Sequence, residues 1–460
     1  MQLHGIEVNL QRQAPLEETF LPVKKWNDAY LAEASKPLAV AVERNGGYLS
    51  VYRTYVRGTD ISLDADILYV SKLVKMMLWS RGGFRIYICG DDRIALAIAG
   101  QYTAEGERAF DYHFMSKVYA SPVEVLSLRY AECPEAKESF ESVGKHMNGC
   151  RIGFDAGGSD RKVSAVIDGE TVYSEEVIWY PKLNSDPDYH YQGILESFRT
   201  AAAKMPRVDG IGVSSAGIYI DNQTREASLF LAVPRENYAA VEDIYLRAAE
   251  AVAPGKPLVV ANDGDVSALA GAMSLNEGNI MGIAMGTSEA VGFVDENENI
   301  AGWLNELAFA PVDLQAQATQ DEWSGDYGVG CKYFSQDAAI RLAEVAGLGI
   351  DPDLSLAAKL KAIQTSMEDD DPKARQIFES IGVYLGHELA YYSDFYDVRH
   401  VILMGRVVSG KGGDLILKVC NEVLQTEYPA IAANLSVTLP DDNLRRVGQS
   451  MAAASLPYIP

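Results

Sequence analysis

The sequence RIGFDAGGSDRKVSAVID occupies residues 151–168. Short apolar stretches at 152–154 and 162–167 predict two strands, with the glycine turn DAGGS (155–159) between them. Adjacent glycines tolerate positive φ and let a ligand approach bare backbone, and successive N–H groups in such a turn can bind phosphate oxygens. Taken alone, the turn is better explained as an ordinary tight hairpin.

The residues on either side of this turn extend the prediction. Asp155 stands at the end of the first strand, where its carboxylate could hold Mg²⁺ through water. Farther on, Asp168 and Gly169 predict a second hairpin turn, and a third strand is predicted to begin at Thr171. We therefore expect three consecutive strands joined by two short turns.

Strands and helices alternate from residue 151 onward, which predicts an α/β fold. Apolar runs predict strands at 209–213, 258–261, 280–285 and 401–404, and helices at 192–204, 238–253, 266–272, 377–395 and 414–424. The stretch SMEDDDPK (366–373) is predicted to be an acidic loop. Ligands of α/β sheets bind at the carboxyl ends of the strands, so the loops that follow these strands are the candidate site.

The loop after the strand 258–261 carries the residues best suited to catalysis. Asp263 directly follows this dry strand, and its carboxylate can accept a proton from a hydroxyl that attacks a γ-phosphate. Asn262 can orient that hydroxyl by hydrogen bonds. A helix N-cap after a β-α turn is the alternative for this loop, and it explains Asp265 better than a catalytic role does.

Residues 1–148 form a segment of different character. Asn45 and Gly46 predict a hairpin between strands at 37–42 and 48–55, and a helix is predicted at 68–79. The order is roughly β-β-α-β-α. This segment is neither basic nor built as a helix-turn-helix, so we expect no DNA-binding head.

Composition narrows the class of protein. The chain has 460 residues, a formal net charge of −24 and a pI near 4.7. This balance argues against nucleic acid or an anionic membrane as partner, and no apolar run reaches transmembrane length. The five scattered cysteines fit buried thiols in a reducing cytoplasm, and the six scattered histidines show no metal-ligand spacing.

The ordered loops resemble the ROK family of sugar kinases and repressors, which belongs to the hexokinase, Hsp70 and actin superfamily. DAGGS (155–159) is similar to the family's phosphate turn D-x-G-G-T, and IGVSSAG (211–217) stands where G-x-G-x-P-G lines the sugar site. The pair at 262–263 matches the family's catalytic N-D pair. Weaker matches are GTSEA (286–290) to the second phosphate turn G-T-G-x-G and MGRVVS (404–409) to the adenosine-side G-G-G-V-S. The resemblance covers roughly 151–460.

The resemblance implies a two-lobed hexokinase/actin-like (ribonuclease H-like) α/β fold, preceded by an additional N-terminal α/β domain. The implied domains are an accessory domain at 1–148, a first lobe at 149–262 and a second lobe at 263–460. The last residues are expected to pack back on the first lobe. Family habit also implies a homodimer.

The implied activity is ATP-dependent phosphoryl transfer to a sugar or sugar-like polyol, with ATP and Mg²⁺ as cofactors and Asp263 as the general base. The residues implied to bind the acceptor are Asn262, Glu306, Ser215 and Gly217. The residues implied to bind ATP and its phosphates are Asp155, Gly157, Gly158, Ser159, Lys162, Gly286, Thr287, Ser288, Gly405, Ser409 and Gly410.

The chain departs from the family pattern in three places. The family segment G-E-x-G-H corresponds to LNELAF (304–309), which keeps Glu306 but has Phe309 at the histidine position. The zinc-binding C-x-C-G-x-x-G-C is replaced by a stretch with the single thiol Cys331, so we expect no zinc site. Glu289 lies within the second phosphate turn, where a carboxylate would repel polyphosphate unless a cation compensates.

These departures motivate an alternative. The chain would be a non-catalytic ROK-like protein that senses a ligand or serves as a scaffold, with residues 1–148 as its interaction module. Binding without turnover would distinguish this alternative from a kinase.

Overall fold

The computed structural model describes residues 1–138, 144–440 and 448–459. The strands are β1 (Gln2–Leu3), β2 (Ile6–Glu7), β3 (Lys36–Glu43), β4 (Leu49–Val56), β5 (Arg85–Cys89), β6 (Glu124–Leu128), β7 (Cys150–Ala156), β8 (Asp160–Ile167), β9 (Glu170–Ile178), β10 (Gly210–Ser215), β11 (Ile218–Ile220), β12 (Gln223–Glu226), β13 (Leu258–Asn262), β14 (Ile280–Met285), β15 (Glu289–Val294), β16 (His400–Met404) and β17 (Ser436–Thr438).

The helices are α1 (Val23–Leu31), α2 (Leu63–Arg81), α3 (Asp92–Gln101), α4 (Ala109–Val118), α5 (Pro187–Ala202), α6 (Ala239–Glu242), α7 (Ile244–Val252), α8 (Asp263–Leu275), α9 (Gln336–Ala346), α10 (Leu356–Glu368), α11 (Pro372–Tyr392), α12 (Gly410–Glu427), α13 (Pro429–Ala432) and α14 (Gln449–Ala454). The chain is therefore a mixed α/β protein, as the alternation predicts. No helix in the described ranges has both the length and the apolar composition that crossing a bilayer requires.

Contacts divide the chain into two units. One combines Met1–Ser139, Ile283–Val291 and Gly302–Leu439, and the other combines Phe140–Gly282, Gly292–Ala301 and Pro440–Pro460. We call them the first unit and the second unit. The division into domains at 1–148, 149–262 and 263–460 stays a prediction.

The second unit is built on a five-stranded sheet in the order β13-β10-β7-β8-β9. β13, β10 and β7 are parallel, whereas β7, β8 and β9 form antiparallel hairpins. The predicted turn at Asp168 and Gly169 joins β8 to β9, and both residues have the positive φ of a type I′ turn, 47° and 86°. One face of the sheet is covered by α5 and α7, with Phe154, Phe198 and Tyr245 in the buried core.

The other face of this sheet is covered by α14. Gly153 and Gly212 are paired across β7 and β10. A methyl group on either glycine would lie 1.7 Å from a backbone carbonyl oxygen of α14, that of Ser450 or Ala453. The two glycines therefore let the C-terminal helix lie directly on the sheet.

The first unit contains a four-stranded sheet, β4-β3-β5-β6, with the Asn45–Gly47 turn between β3 and β4 where the sequence predicts a hairpin. The strands β14 to β17 form another sheet, in the order β15-β14-β16-β17. Within this unit the N-terminal residues pack on later ones: the buried ring of Phe20 lies 4.7 Å from that of Tyr384 and 5.9 Å from that of Tyr333.

Two local predictions are wrong. The helix predicted at 238–253 is broken at Asp243, which lies between α6 and α7 with non-helical φ and ψ. The loop predicted at 366–373 is mostly helix, because α10 continues to Glu368 and α11 begins at Pro372. Asp371 accepts hydrogen bonds from the backbone N–H groups of the first turn of α11, so the acidic run caps a helix that the proline begins.

Candidate active site

The carboxyl ends of three parallel strands are aligned at one edge of the sheet in the second unit. The register pairs Ala156 of β7 with Ser215 of β10, and Ser215 with Asn262 of β13. These three paired residues are the last of their strands. One residue after them begin the glycine turn that follows β7, the loop that follows β10 and, with Asp263, the segment that follows β13. This register brings together three of the loops that the sequence predicts to carry the site.

The glycine turn 157–159 is held by Trp179, which follows β9. The Trp179 indole Nε1 donates to the carbonyl oxygen of Gly157 at 2.8 Å, and its backbone N–H donates to that of Ser159 at 3.1 Å. Neither Gly157 nor Gly158 has the positive φ that the sequence suggests. The glycines instead leave space, since a methyl group on Gly157 would lie 2.8 Å from the carbonyl oxygen of Asp160.

Asp155 lies just before this turn and is 6% exposed. Its carboxylate accepts a hydrogen bond of 2.8 Å from the Ser214 hydroxyl on the neighbouring strand. Burial raises the pKa of Asp155 to about 6, against that hydrogen bond, and the charge of Asp263 adds to the rise. The two carboxyl groups therefore interact electrostatically at the same edge.

Asn262 is the N-cap residue of α8, which is the alternative that the sequence offers for this loop. Its side-chain Oδ1 accepts a hydrogen bond of 2.7 Å from the Gly264 N–H, which caps α8, and its Nδ2 donates to the Gly217 carbonyl at 2.8 Å. Asp265 is buried, and its carboxylate accepts from the Phe293 N–H at 3.2 Å. Asp265 thus has a structural contact with β15, whereas the helix N-cap is Asn262.

Asp263 differs from its neighbours. It is half-buried at the N-terminus of α8, and its carboxylate accepts one hydrogen bond of 3.1 Å from the Gly264 N–H. Burial raises the pKa of Asp263, while the Gly264 N–H and the charge of Lys182 act in the opposite direction. A carboxylate with a raised pKa at a strand end can act as a general base.

The predicted acceptor residues Ser215 and Gly217 have clear local contacts. The Ser215 hydroxyl is buried, with the hydroxyl groups of Tyr219 and Tyr245 at 2.6 and 2.8 Å. Gly217 has a φ of 142°, and a methyl group there would lie 2.5 Å from the carbonyl oxygen of Glu226. Both residues shape the loop after β10, and their contact with an acceptor stays a prediction.

The second predicted phosphate turn lies in the first unit, between β14 and β15. Thr287 and Ser288 are exposed, and the Gly286 N–H donates to the Ser288 carbonyl at 3.0 Å. The Gln336 N–H donates to the Gly286 carbonyl at 2.9 Å, which ties the turn to the start of α9. The side chain of Glu289 turns inward, is 4% exposed and accepts from the Tyr392 hydroxyl at 3.1 Å.

The loop predicted to contact adenosine follows β16 in the same unit. Gly405 has a φ of 95°, and a methyl group there would lie 2.3 Å from the carbonyl oxygen of Met285, so only glycine fits. Ser409 and Gly410 stand at the start of α12, and Gly410 has a φ of 66°. Their binding of ATP stays a prediction.

Glu306 and Phe309 have different surroundings in the first unit. The backbone N–H of Glu306 donates to the Trp79 carbonyl at 2.9 Å. Phe309 is 6% exposed, and its ring centre lies 4.4 Å from that of Trp79, 5.7 Å from that of Phe110 and 5.3 Å from that of Trp323. An aromatic ring is therefore suited to the position where the family has histidine, because it fills an aromatic cluster.

The residues in place of the zinc motif do not fit a structural zinc. Cys331 supplies one thiol, whose pKa is raised by burial, and Asp326 forms ion pairs with Lys75 and Arg108. Among the residues that the structure describes, no cluster of three or more histidine, cysteine or acidic side chains is placed to hold a metal ion. Ion pairs hold this stretch where the family has zinc ligands.

Lys182 is the residue near this site that sequence reasoning missed. It is exposed on a short 3₁₀ helix, Pro181–Leu183, beside the glycine turn. A methyl group on Gly158 would lie 3.5 Å from the Lys182 Nζ. The predicted phosphate ligand Lys162 instead lies 3.7 Å from Asp160 and 3.8 Å from Glu176. Sequence offered no signal for Lys182, because tertiary contacts place it.

No family model and no curated protein sequence match the chain. Among solved structures, it is similar to a ROK hexokinase from Thermus thermophilus, with 18% identity and a TM-score of 0.52 over 66% of this chain and 97% of that one. It is also similar to a ROK transcriptional regulator described as a homolog of the E. coli MLC protein, with 16% identity and a TM-score of 0.53 over 79% of this chain and 88% of that one.

These similarities establish the class of fold. The chain has the hexokinase/actin-like fold of ROK proteins, which confirms the expectation drawn from the ordered motifs. One of these neighbours is a kinase and the other a regulator, so the fold by itself does not decide between catalysis and sensing.

Proposed function

We propose that the chain transfers the γ-phosphoryl group of ATP to a hydroxyl group of a sugar or sugar-like polyol, with Asp263 as the general base. The observation that carries the proposal is the position of Asp263. It is half-buried, accepts a hydrogen bond from one backbone N–H and stands beyond the aligned ends of β7, β10 and β13. The glycine turn, with its exposed backbone, lies at the same edge.

The reaction follows from this arrangement. Asp263 accepts the proton of the acceptor hydroxyl while the hydroxyl oxygen forms a bond to the γ-phosphorus and the bond to the ADP oxygen breaks. In this proposal Asn262 binds an acceptor hydroxyl. The glycine turn 157–159 binds the phosphate chain through its backbone N–H groups.

The carboxylate of Asp155 is suited to hold the magnesium ion that accompanies the nucleotide in this proposal. Mg²⁺ prefers oxygen ligands, keeps several waters and is held in many kinases by one or two carboxylates. The buried Asp155 carboxylate, with its pKa near 6, gains from a nearby cation because a positive charge favours the ionised form. When bound, Mg²⁺ neutralises charge on the phosphates.

The proposal is tested by measuring ADP release from Mg²⁺·ATP across a panel of hexoses, amino sugars and polyols. Asp263→Asn is expected to lower the acceptor-dependent kcat by about 100-fold or more, because it removes the base but keeps the shape. Asp221→Asn is the matched control, since Asp221 is exposed and its φ of 55° suits asparagine. Unchanged turnover in Asp263→Asn would refute the mechanism.

A second candidate function is ligand sensing or scaffolding without turnover. The similarity to a ROK transcriptional regulator favours it, since that match covers 79% of this chain. The second turn, GTSEA, is also incomplete relative to the family pattern. This candidate predicts that a sugar raises the melting temperature although no panel member stimulates ADP release.

A further inference from the structure

We propose that Lys182 is the cation that binds the transferred phosphoryl group at the glycine turn 157–159, in place of Lys162. This inference rests on the proposed kinase function and assigns a residue to it. The observations are the fixed position of the 179–184 segment, the distance of Lys182 from Gly158, and the ion pairs of Lys162.

Hydrogen bonds hold the chain in place before and after Lys182. Before it, Trp179 makes its two hydrogen bonds to the glycine turn, and the Tyr180 N–H donates to the Tyr189 hydroxyl at 3.0 Å. After it, the Asn184 carbonyl lies 3.1 Å from Nε2 of the buried His190. Lys182 therefore extends from a supported turn, although its own side chain is exposed.

The side chain of Lys182 lies over the glycine turn. A methyl group on Gly158 would lie 3.2 Å from its Cε and 3.5 Å from its Nζ, so glycine at this position leaves room for the lysine. In the described ranges, Lys182 forms no ion pair with a carboxylate. Its charge nevertheless reaches Asp263, whose pKa it lowers against the effect of burial. The amine is therefore close to the turn and within electrostatic range of the proposed base.

The cationic side chains on the adjacent strand β8 already form ion pairs with carboxylates. Lys162 is paired with Glu176 in the register of β8 and β9, and its Nζ lies within 4 Å of two carboxylates. Arg161 forms an ion pair of 2.8 Å with Glu196. The protein has a net charge of −24. Lys182 has no carboxylate ion pair in the described ranges and lies beside the glycine turn, so it is the cation best placed to compensate the charge of a phosphate bound there.

Lys182 would act in two ways. Its ammonium group would donate to a phosphate oxygen as a charge-assisted hydrogen bond, which stabilises the charge that develops during transfer. Its charge would also keep Asp263 ionised at lower pH. Loss of the charge therefore affects both nucleotide binding and the acidic side of the pH profile.

The experiment compares Lys182→Met and Lys182→Arg with Lys162→Met in the full chain. We expect Lys182→Met to lower kcat/KM for Mg²⁺·ATP by about 30-fold, as for loss of a hydrogen bond to a charged group, and Lys182→Arg to restore part of it. Lys162→Met should cost about threefold or less, as for an exposed ion pair. The acidic limb of the kcat profile should move to higher pH in Lys182→Met and stay in place in Lys162→Met.

The outcomes separate this inference from the proposed function. If the wild-type chain is active and Lys182→Met loses no more activity than Lys162→Met, the assignment of Lys182 is wrong while the kinase proposal stands. If the wild-type chain shows no turnover, the kinase proposal fails and calorimetric titration with Mg²⁺·AMP-PNP becomes the test. Binding that Lys182→Met weakens and Lys162→Met keeps would support the phosphate site, and absence of binding by the wild-type chain would overturn it.

Discussion

At the scale of the residue, Glu289 shows that burial can keep a carboxyl group neutral where the sequence alone suggests a negative charge. Its place in a predicted phosphate turn suggests repulsion of polyphosphate. Burial raises the pKa of Glu289 to about 8, against the hydrogen bond from Tyr392, and the charge of Glu306 adds to the rise. Glu289 is therefore mainly neutral at pH 7, and its side chain is buried whereas Thr287 and Ser288 are exposed.

The raised pKa of Glu289 predicts a pH-dependent stability. The folded protein keeps this proton up to about pH 8, whereas an unfolded glutamate loses it near pH 4.5. The free energy of unfolding should therefore fall as the pH rises through that window. Glu289→Gln keeps the hydrogen bond to Tyr392 and removes the titration, so its melting temperature at pH 8.5 should exceed that of the wild type by about 3 °C or more.

Melting curves of both proteins between pH 5 and pH 9 check this prediction. At pH 5 the two should melt close together, since wild-type Glu289 is then protonated in the folded protein. A constant difference across the range would show that Glu289 is not the titrating group. The buried Glu388, whose pKa burial also raises, would give the remaining slope in Glu289→Gln.

How far the site was predictable depends on the distance along the chain between its parts. Asp155, Asn262 and Asp263 lie at or just after the ends of short apolar runs in the sequence, so a local pattern is enough to find them. Lys182 follows the glycine turn by more than 20 residues, and only the β8–β9 register and the bonds of Trp179 bring it back. The inward direction of Glu289 likewise depends on packing with α11, which no local pattern shows.

At the scale of the element, strands with apolar runs and Asp-Gly or Asn-Gly turns were predictable, because their signals are local. The short α14 was not predictable from such a local signal, although the family resemblance implies that the last residues pack back on the first lobe. This helix has six residues, and its place on the sheet depends on Gly153 and Gly212, which are about 240 to 300 residues away in the sequence. The close contact between this helix and two strands explains why both strand positions require glycine.

A substitution at Gly212 tests this packing. The methyl group of Gly212→Ala would meet the backbone of α14 at Ala453, which cannot move as a flexible side chain can. We expect a loss of about 3 kcal/mol in the free energy of unfolding, as for an overpacked core. Gly448→Ala is the control, since Gly448 precedes α14, has no atom within 4 Å of the added methyl group and should change stability by about 0.5 kcal/mol or less. Denaturant titration distinguishes the two variants, and equal stabilities would show that α14 does not pack tightly there.

At the scale of the whole molecule, the N-terminal residues are part of the first unit, together with residues 302–439. Phe20 is buried against Tyr384, and its neighbour Leu21 donates its N–H to the Asp313 carboxylate at 3.0 Å. Lys75, which is 1% exposed, pairs with Asp111 and Asp326. Sequence patterns could not show this association, because a predicted β-β-α-β-α segment looks complete by itself.

The association predicts that residues 149–460 do not form a native protein when expressed alone. Removal of residues 1–148 would expose the faces of Tyr333, Tyr384 and Phe309 and leave Asp326 without its two cations. Breaking a buried ion pair costs about 3–5 kcal/mol. The truncated chain should bind a hydrophobic dye, lose near-ultraviolet circular dichroism and melt without a cooperative transition. Co-expression of residues 1–148 as a separate chain should restore the transition, because the missing contacts are non-covalent. Cooperative melting of the truncated chain alone would instead show that residues 1–148 are a separable domain.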